Sequence, residues 1–217
     1  MTDVHIPEQG TAAATIAKSR LLPVIALHDA ADARPLGEAL LDGGLPCAEV
    51  TFRTDAAADA IGAMAELDGL AVGAGTVLTP EQVDRAVRAG ARFVVSPGFS
   101  QVVVRRCVQL GVPVFPGVMT PSEIQMALHE GLETVKFFPA EQAGGVAMIR
   151  ALTAPFQSVR FIPTGGVNAA NVRSYLDIPA VMAVGGTWMV PPDALAAKDW
   201  KRVVGLVREA VQLVGQR

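Results

Sequence analysis

Eight short β-type runs alternate with Ala- and Leu-rich segments of helical period along nearly all of this 217-residue chain. No other feature restricts the fold as much. The runs cover residues 22–27, 48–52, 70–77, 92–96, 112–118, 134–138, 160–163 and 181–184, and the helical segments cover 35–41, 55–66, 80–89, 102–110, 122–129 and 146–152. Apolar residues recur at helical spacing in the second set and as short β-rich stretches in the first. Strand then helix is the repeating unit, which places the chain in the α/β class. The unit returns at a spacing of roughly 20 to 25 residues, but no residue pattern repeats at fixed offsets, which argues against a solenoid. A closed (β/α)8 TIM barrel fits a count of eight better than an open doubly wound sheet.

The breakers support this layout. Gly43-Gly44, Gly90, Gly111 and Gly131 fall just after helical segments, where C-cap glycines belong. Thr79-Pro80-Glu81 and Thr120-Pro121-Ser122 read as N-caps followed by Pro at the first helical position. Residues 1–20 form an amino-terminal helical extension, helical from Glu8 to Arg20, and an apolar stripe at Trp200, Val203, Val204, Leu206, Val207, Val211 and Val214 marks a closing helix. The expected organisation is one barrel domain over residues 1–217.

With 51% hydrophobic and 18% charged residues, 21 Gly and 15 Pro, the chain has a large apolar core cut by many turns. A net charge of -3 and scattered arginines give no basic stripe for nucleic acid or an anionic membrane. Gly, Pro or charge interrupts each apolar stretch before the ~18 residues that a membrane helix needs. Residues 1–10 lack the basic-then-apolar profile of a signal peptide, so a soluble, cytoplasmic protein is expected. Cys47 and Cys107 have neither metal-ligand spacing nor a disulfide framework. His5, His28 and His129 have no carboxylate or cysteine at metal spacing, so no metal is expected.

Chemistry enters through Lys136. Of the four lysines it alone lies in an apolar strand-like run, Thr134-Val135-Lys136-Phe137-Phe138-Pro139, whereas Lys18, Lys198 and Lys201 fall in polar or helical segments. Burial disfavours an ammonium and yields the neutral amine that attacks a carbonyl to form a Schiff base. In the second run, period-two geometry puts Glu49, Thr51 and Arg53 on one face and Ala48, Val50 and Phe52 on the other. In a barrel the polar set points inward toward the mouth, where catalytic groups of this fold lie. Thr76 ends the small-residue string Gly73-Ala74-Gly75-Thr76, which lets a ligand approach the backbone. Pro163-Thr164-Gly165-Gly166 and Gly185-Gly186-Thr187-Trp188 follow the last two runs, where barrels often hold phosphate on bare N–H groups.

Each feature has a plainer alternative. Lys136 could snorkel or pair with an acid, Glu49 and Arg53 could form a structural ion pair, and the glycine pairs could be tight turns. Glu141 could cap the next helix, and Phe138 could simply pack. Taken together, a lysine, an acid, an arginine and two anion loops at one end of one barrel favour chemistry.

The chain resembles the class I 2-keto-3-deoxy-6-phosphogluconate (KDPG) aldolases, also called 4-hydroxy-2-oxoglutarate (KHG) aldolases. The likeness runs through Glu49-Val50-Thr51-Phe52-Arg53-Thr54, Gly73-Ala74-Gly75-Thr76-Val77-Leu78, Ser96-Pro97-Gly98, Lys136-Phe137-Phe138-Pro139-Ala140-Glu141, Phe161-Ile162-Pro163-Thr164-Gly165-Gly166 and Gly185-Gly186-Thr187-Trp188. It implies a (β/α)8 barrel, usually a homotrimer, that takes a phosphorylated keto-deoxy sugar acid to pyruvate and glyceraldehyde 3-phosphate without metal or other cofactor. Carried over by motif, Lys136 is the Schiff-base lysine and Glu49 the acid/base that moves protons through a water. Arg53 and Thr76 hold the pyruvate carboxylate, Pro97 and Phe138 line the pocket, and Thr164 positions substrate. Gly165, Gly166, Gly185, Gly186 and Thr187 bind phosphate. Two positions depart from the pattern: Thr187 stands where Ser is expected, and Leu45-Pro46-Cys47 before Glu49 is unusual.

Three competing readings differ in what they require. An aldolase for the galactonate epimer would prefer that epimer, and a silent phosphosugar-binding barrel would bind without turnover. A metal-dependent aldolase would lose activity to a chelator.

Overall fold

The computed structural model describes residues 11–215. Among the described residues nine short strands follow one another: β1 (Leu21–Ile25), β2 (Cys47–Thr51), β3 (Ala71–Gly75), β4 (Val94–Val95), β5 (Val114–Phe115), β6 (Gly117–Val118), β7 (Thr134–Phe137), β8 (Arg160–Pro163) and β9 (Val184–Gly186). All their pairings are parallel. One sheet runs β5-β4-β3-β2-β1-β9 and the other β6-β7-β8. β5 and β6 are two halves of one stave, broken at Pro116, which has no N–H to give to a ladder. Bridges between Phe161 and Val181 and between Thr164 and Gly185 close the second gap, so the sheet curls into the eight-staved barrel that the alternation implies.

Register fixes which side chains share the interior. Val24 lies beside Glu49, Glu49 beside Gly73, Gly117 beside Lys136, Lys136 beside Ile162, and Leu22 beside Gly185. Below the mouth the interior is filled by aromatics. Phe93 and Phe115, fully buried with ring centroids 6.0 Å apart, take the space left by Gly73, where a Cβ would stand 2.3 Å from the Phe93 ring. Just past β2, the partly buried Phe52 ring carries the Arg85 guanidinium 5.5 Å from its centroid.

The helices begin and end as their punctuation requires. Thr79 caps α4 (Pro80–Arg88) by accepting from the Gln82 N–H, and Thr120 forms a capping box with Glu123 at α6 (Pro121–His129). Gly44, Gly90, Gly111 and Gly131 all adopt positive φ just past helices. Helix α1 (Thr11–Ser19) precedes the barrel, and α10 (Trp200–Gly215) closes it. The first part of the predicted extension, residues 1–10, including His5, lies outside the described residues.

Several strands are shorter than their runs, and the last differs most from expectation. The last run is read from the sequence as residues 181–184, but β9 spans Val184–Gly186, with Val181 making only an isolated bridge. Gly185 and Gly186 therefore belong to the final strand and not to the loop after it. Side chains would not fit there: a Cβ at Gly185 would meet Thr164 Oγ1 at 2.2 Å, and one at Gly186 would meet the Trp188 ring at 1.9 Å. Both cysteines are buried and free, and burial pushes each thiol up to about 12. Among the described residues no helix is long and apolar enough to cross a membrane.

Candidate active site

Lys136 and Glu49 meet inside the barrel near its carboxyl-terminal mouth. Lys136 is 5% and Glu49 0% exposed, and Lys136 Nζ donates to Glu49 Oε1 at 3.2 Å. The pair joins strands far apart in sequence, and the register above places both side chains on the inner face. Glu49 reaches its place because β3 carries glycine beside it: a Cβ at Gly75 would stand 2.2 Å from Glu49 Oε1 and 2.6 Å from its Cγ. The second carboxylate oxygen, Oε2, is buried with no hydrogen-bond partner among the described residues. An unsatisfied buried oxygen costs about 1–3 kcal/mol, and such groups persist mainly where they serve a purpose. Phe138, half-buried, places its ring 5.2 Å from Lys136 Nζ, so the residue two places along supplies an apolar wall and a π face to the amine.

Above Glu49 on the same face, Thr51 donates to Ile25 O at 2.9 Å and accepts from Arg53 Nε at 3.2 Å. Arg53, an exposed residue, thereby has one N–H anchored and contributes to the wall of a cavity. Thr76, the first residue past β3, has φ 55. A β-branched residue in the left-handed region is a true outlier, costing roughly 1–2 kcal/mol, and such strain gathers at functional sites. Pro97 is brought close by Gly117, the neighbour of Lys136 in register, where a Cβ would lie 2.1 Å from Pro97 O.

The two glycine pairs differ in their surroundings. Gly165 and Gly166 form the turn after β8, with φ 103 and 80. Its carbonyls are engaged: Thr164 O accepts from Ala140 N at 2.8 Å, Gly165 O from Glu141 N at 3.0 Å, and Gly166 O from the Asn168 and Asn171 amides, both at 3.1 Å. The turn is left with chiefly N–H groups to offer a ligand, which suits an anion. Gly185 and Gly186 lie close against Thr164 and Trp188, and the exposed Thr187 follows them. Beside Thr187 and Arg53 opens a cavity of about 470 Å³, walled also by Val24, Ala26 and His28, a size typical of small-molecule sites.

All twelve residues singled out from the sequence thus lie on strands or on the loops at one end of the barrel. Three partners were not anticipated. Asn168 and Asn171 pin the Gly166 turn, and Tyr175 donates to Glu141 Oε1, so Glu141 is engaged by a tyrosine and makes no cap on α7 (Gly145–Thr153). The repeated Asn two and five residues after Gly166 was the available signal, because asparagine favours turns of this kind. No cluster of three or more His, Cys, Asp or Glu side chains capable of holding a metal occurs among the described residues.

Residues 13–206 match the family model described as "Aldolase: KDPG and KHG aldolase". A 2-dehydro-3-deoxy-phosphogluconate aldolase of Treponema pallidum is 50% identical over 197 residues, covering 90% of this chain and 94% of that protein. The KHG/KDPG aldolase of Escherichia coli K12 is 45% identical over 193 residues, covering 88% and 91%. Among solved structures, KDPG aldolase from Legionella pneumophila, with pyruvate captured as a covalent carbinolamine intermediate, superposes with a TM-score of 0.89 at 39% identity, covering 93% of this chain and 98% of that one.

Proposed function

The chain belongs to the KDPG and KHG aldolase family, and from that premise we propose that it is a class I aldolase cleaving KDPG to pyruvate and glyceraldehyde 3-phosphate, and KHG to pyruvate and glyoxylate. The observation that carries this reading is the buried Lys136–Glu49 contact at 3.2 Å, an amine and a carboxylate held side by side inside the barrel.

That geometry supports Schiff-base chemistry. Lys136 Nζ adds to the C2 ketone and water leaves, giving an iminium that draws electrons from the adjacent bond. Glu49 takes the proton of the C4 hydroxyl, the C3–C4 bond breaks, its electrons pass into the enamine, and the aldehyde departs. A proton returned to the enamine carbon and hydrolysis of the imine release pyruvate and free Lys136. The unpartnered Oε2 of Glu49 is the acceptor at hand for a water that relays these protons. Arg53 and Thr76 hold the carboxylate, and the free edge of the Arg53 guanidinium suits it bidentately. Phe138 and Pro97 wall the pocket, while Thr164 positions the chain of the substrate. The Gly165-Gly166 turn, Gly185, Gly186 and Thr187 take the phosphate. No metal or other cofactor enters the scheme.

The test is covalent trapping. With pyruvate and borohydride, Lys136 is expected to gain the mass of pyruvate less one oxygen, mapped to the peptide containing residues 134–138. Folded protein that gains no such mass would sink the proposal.

A second expectation concerns Gly75. Gly75→Ala places a methyl where the Glu49 carboxylate now sits, and a displacement of ångström scale costs on the order of 100-fold in rate. KDPG cleavage should fall by about that factor, and unchanged kcat would show that Glu49 has room to move. The assembly is read as a homotrimer, on the family resemblance, and light scattering would measure its mass.

A further inference from the structure

Tyr175, the one tyrosine of the chain, lies fully buried on α8 (Val172–Leu176), just beyond the Gly165-Gly166 turn. Its hydroxyl donates to Glu141 Oε1. Burial first, then the Glu141 carboxylate, hold the phenol well above its ordinary range, so it remains a donor at any working pH. Glu141 follows the Lys136 strand and touches the turn twice. Its N–H donates to Gly165 O at 3.0 Å, and its stem covers Gly166, where a Cβ would stand 2.5 Å from Glu141 Cγ.

This arrangement has an electrostatic cost. A carboxylate beside an anion-binding turn repels the anion, and a freed glutamate could itself turn onto the N–H groups of that turn. An exposed glutamate ordinarily samples many rotamers, yet the tyrosine confines this one to the side facing α8. We propose that Tyr175 and Glu141 are a positioning pair: Tyr175 holds the Glu141 carboxylate off the Gly165-Gly166 turn and so sets the affinity of the enzyme for the phosphate end of its substrate. The inference rests on the reading of that turn as the phosphate site.

The experiment compares Tyr175→Phe, Glu141→Gln and the double variant in full-length protein. In Tyr175→Phe the KM for KDPG should rise about tenfold, the value of a hydrogen bond to a charged group, with kcat changed by less than about twofold and with the pyruvate concentration for half-maximal borohydride trapping unaltered. Adding Glu141→Gln removes the competing charge and should return KM most of the way, a rescue that a purely structural role would not give. Glu141→Gln alone keeps an acceptor for the tyrosine and should leave KM at or below the parent value, an outcome available even if Tyr175→Phe does not fold. An unchanged KM in Tyr175→Phe, a double variant no better than the single, or a raised KM in Glu141→Gln would overturn the proposal. Failure of the parent protein to cleave KDPG would instead overturn the functional reading on which it stands.

Discussion

A chain carrying Lys136→Met is expected to fold and to lose KDPG cleavage by at least about 10⁴-fold, as enzymes do when a covalent nucleophile is removed. Met nearly matches the volume of the lysine stem and adapts to its surroundings. The backbone of Lys136 keeps its place through the bond from its N–H to Pro116 O at 2.9 Å. What is lost is the amine, and no second lysine is near: Lys18, Lys198 and Lys201 lie on or beside the outer helices. The substitution also leaves Glu49, fully buried, with no partner on either oxygen. Breaking one side of a buried pair costs on the order of 3–5 kcal/mol, so the melting temperature should fall while the fold survives. Single-turnover cleavage, pyruvate trapping and thermal melting together check the expectation. Turnover within 100-fold of the parent, or a borohydride label on another lysine, would remove Lys136 from the centre of the mechanism.

Why Lys136 could be singled out from sequence, while its supports could not, is a matter of range. A strand alternates with period two, so Glu49, Thr51 and Arg53 could be placed on one face from local spacing alone, and Lys136 with Phe138 likewise. Helix ends are also local, and the Thr-Pro caps and C-cap glycines could be placed for that reason. Residues joined across the barrel leave no such trace. Gly73 and Gly75 look in sequence like space for a ligand, yet their near neighbours are Phe93 and Glu49, contacts that depend on register between strands. Gly185 and Gly186 hid the end of the last strand because glycine is a poor strand residue, and packing against Thr164 and Trp188 overrides that preference. The break at Pro116 was visible as a proline but not as a divided stave, because the run around it is apolar on both sides. Tyr175 and Glu141 are 34 residues apart, and nothing in either segment announces the other.

Glu49→Gln separates the two halves of the proposed chemistry. The amide has the shape of the carboxylate but can neither take the C4 hydroxyl proton nor return one to the enamine. Removing a general acid/base costs typically 10²–10⁴-fold, and KDPG cleavage should fall within that span. Exchange of the pyruvate methyl protons with deuterated solvent, which needs only the iminium and a base, should fall by a similar factor. Imine formation itself depends on Lys136, so borohydride should still trap pyruvate on the variant, more slowly because carbinolamine dehydration also needs proton transfer. Stability should change as well. Lys136, 5% exposed, keeps a neutral oxygen to donate to but loses the opposing charge, so the variant should melt below the parent protein. If exchange and cleavage survived while trapping was lost, Glu49 would be serving the lysine and not the substrate, and the proton carrier would have to be sought elsewhere at the mouth. Loss of cleavage and exchange with trapping retained would assign the two steps to two residues, an acid/base on the second strand and a nucleophile on the strand that follows the broken stave.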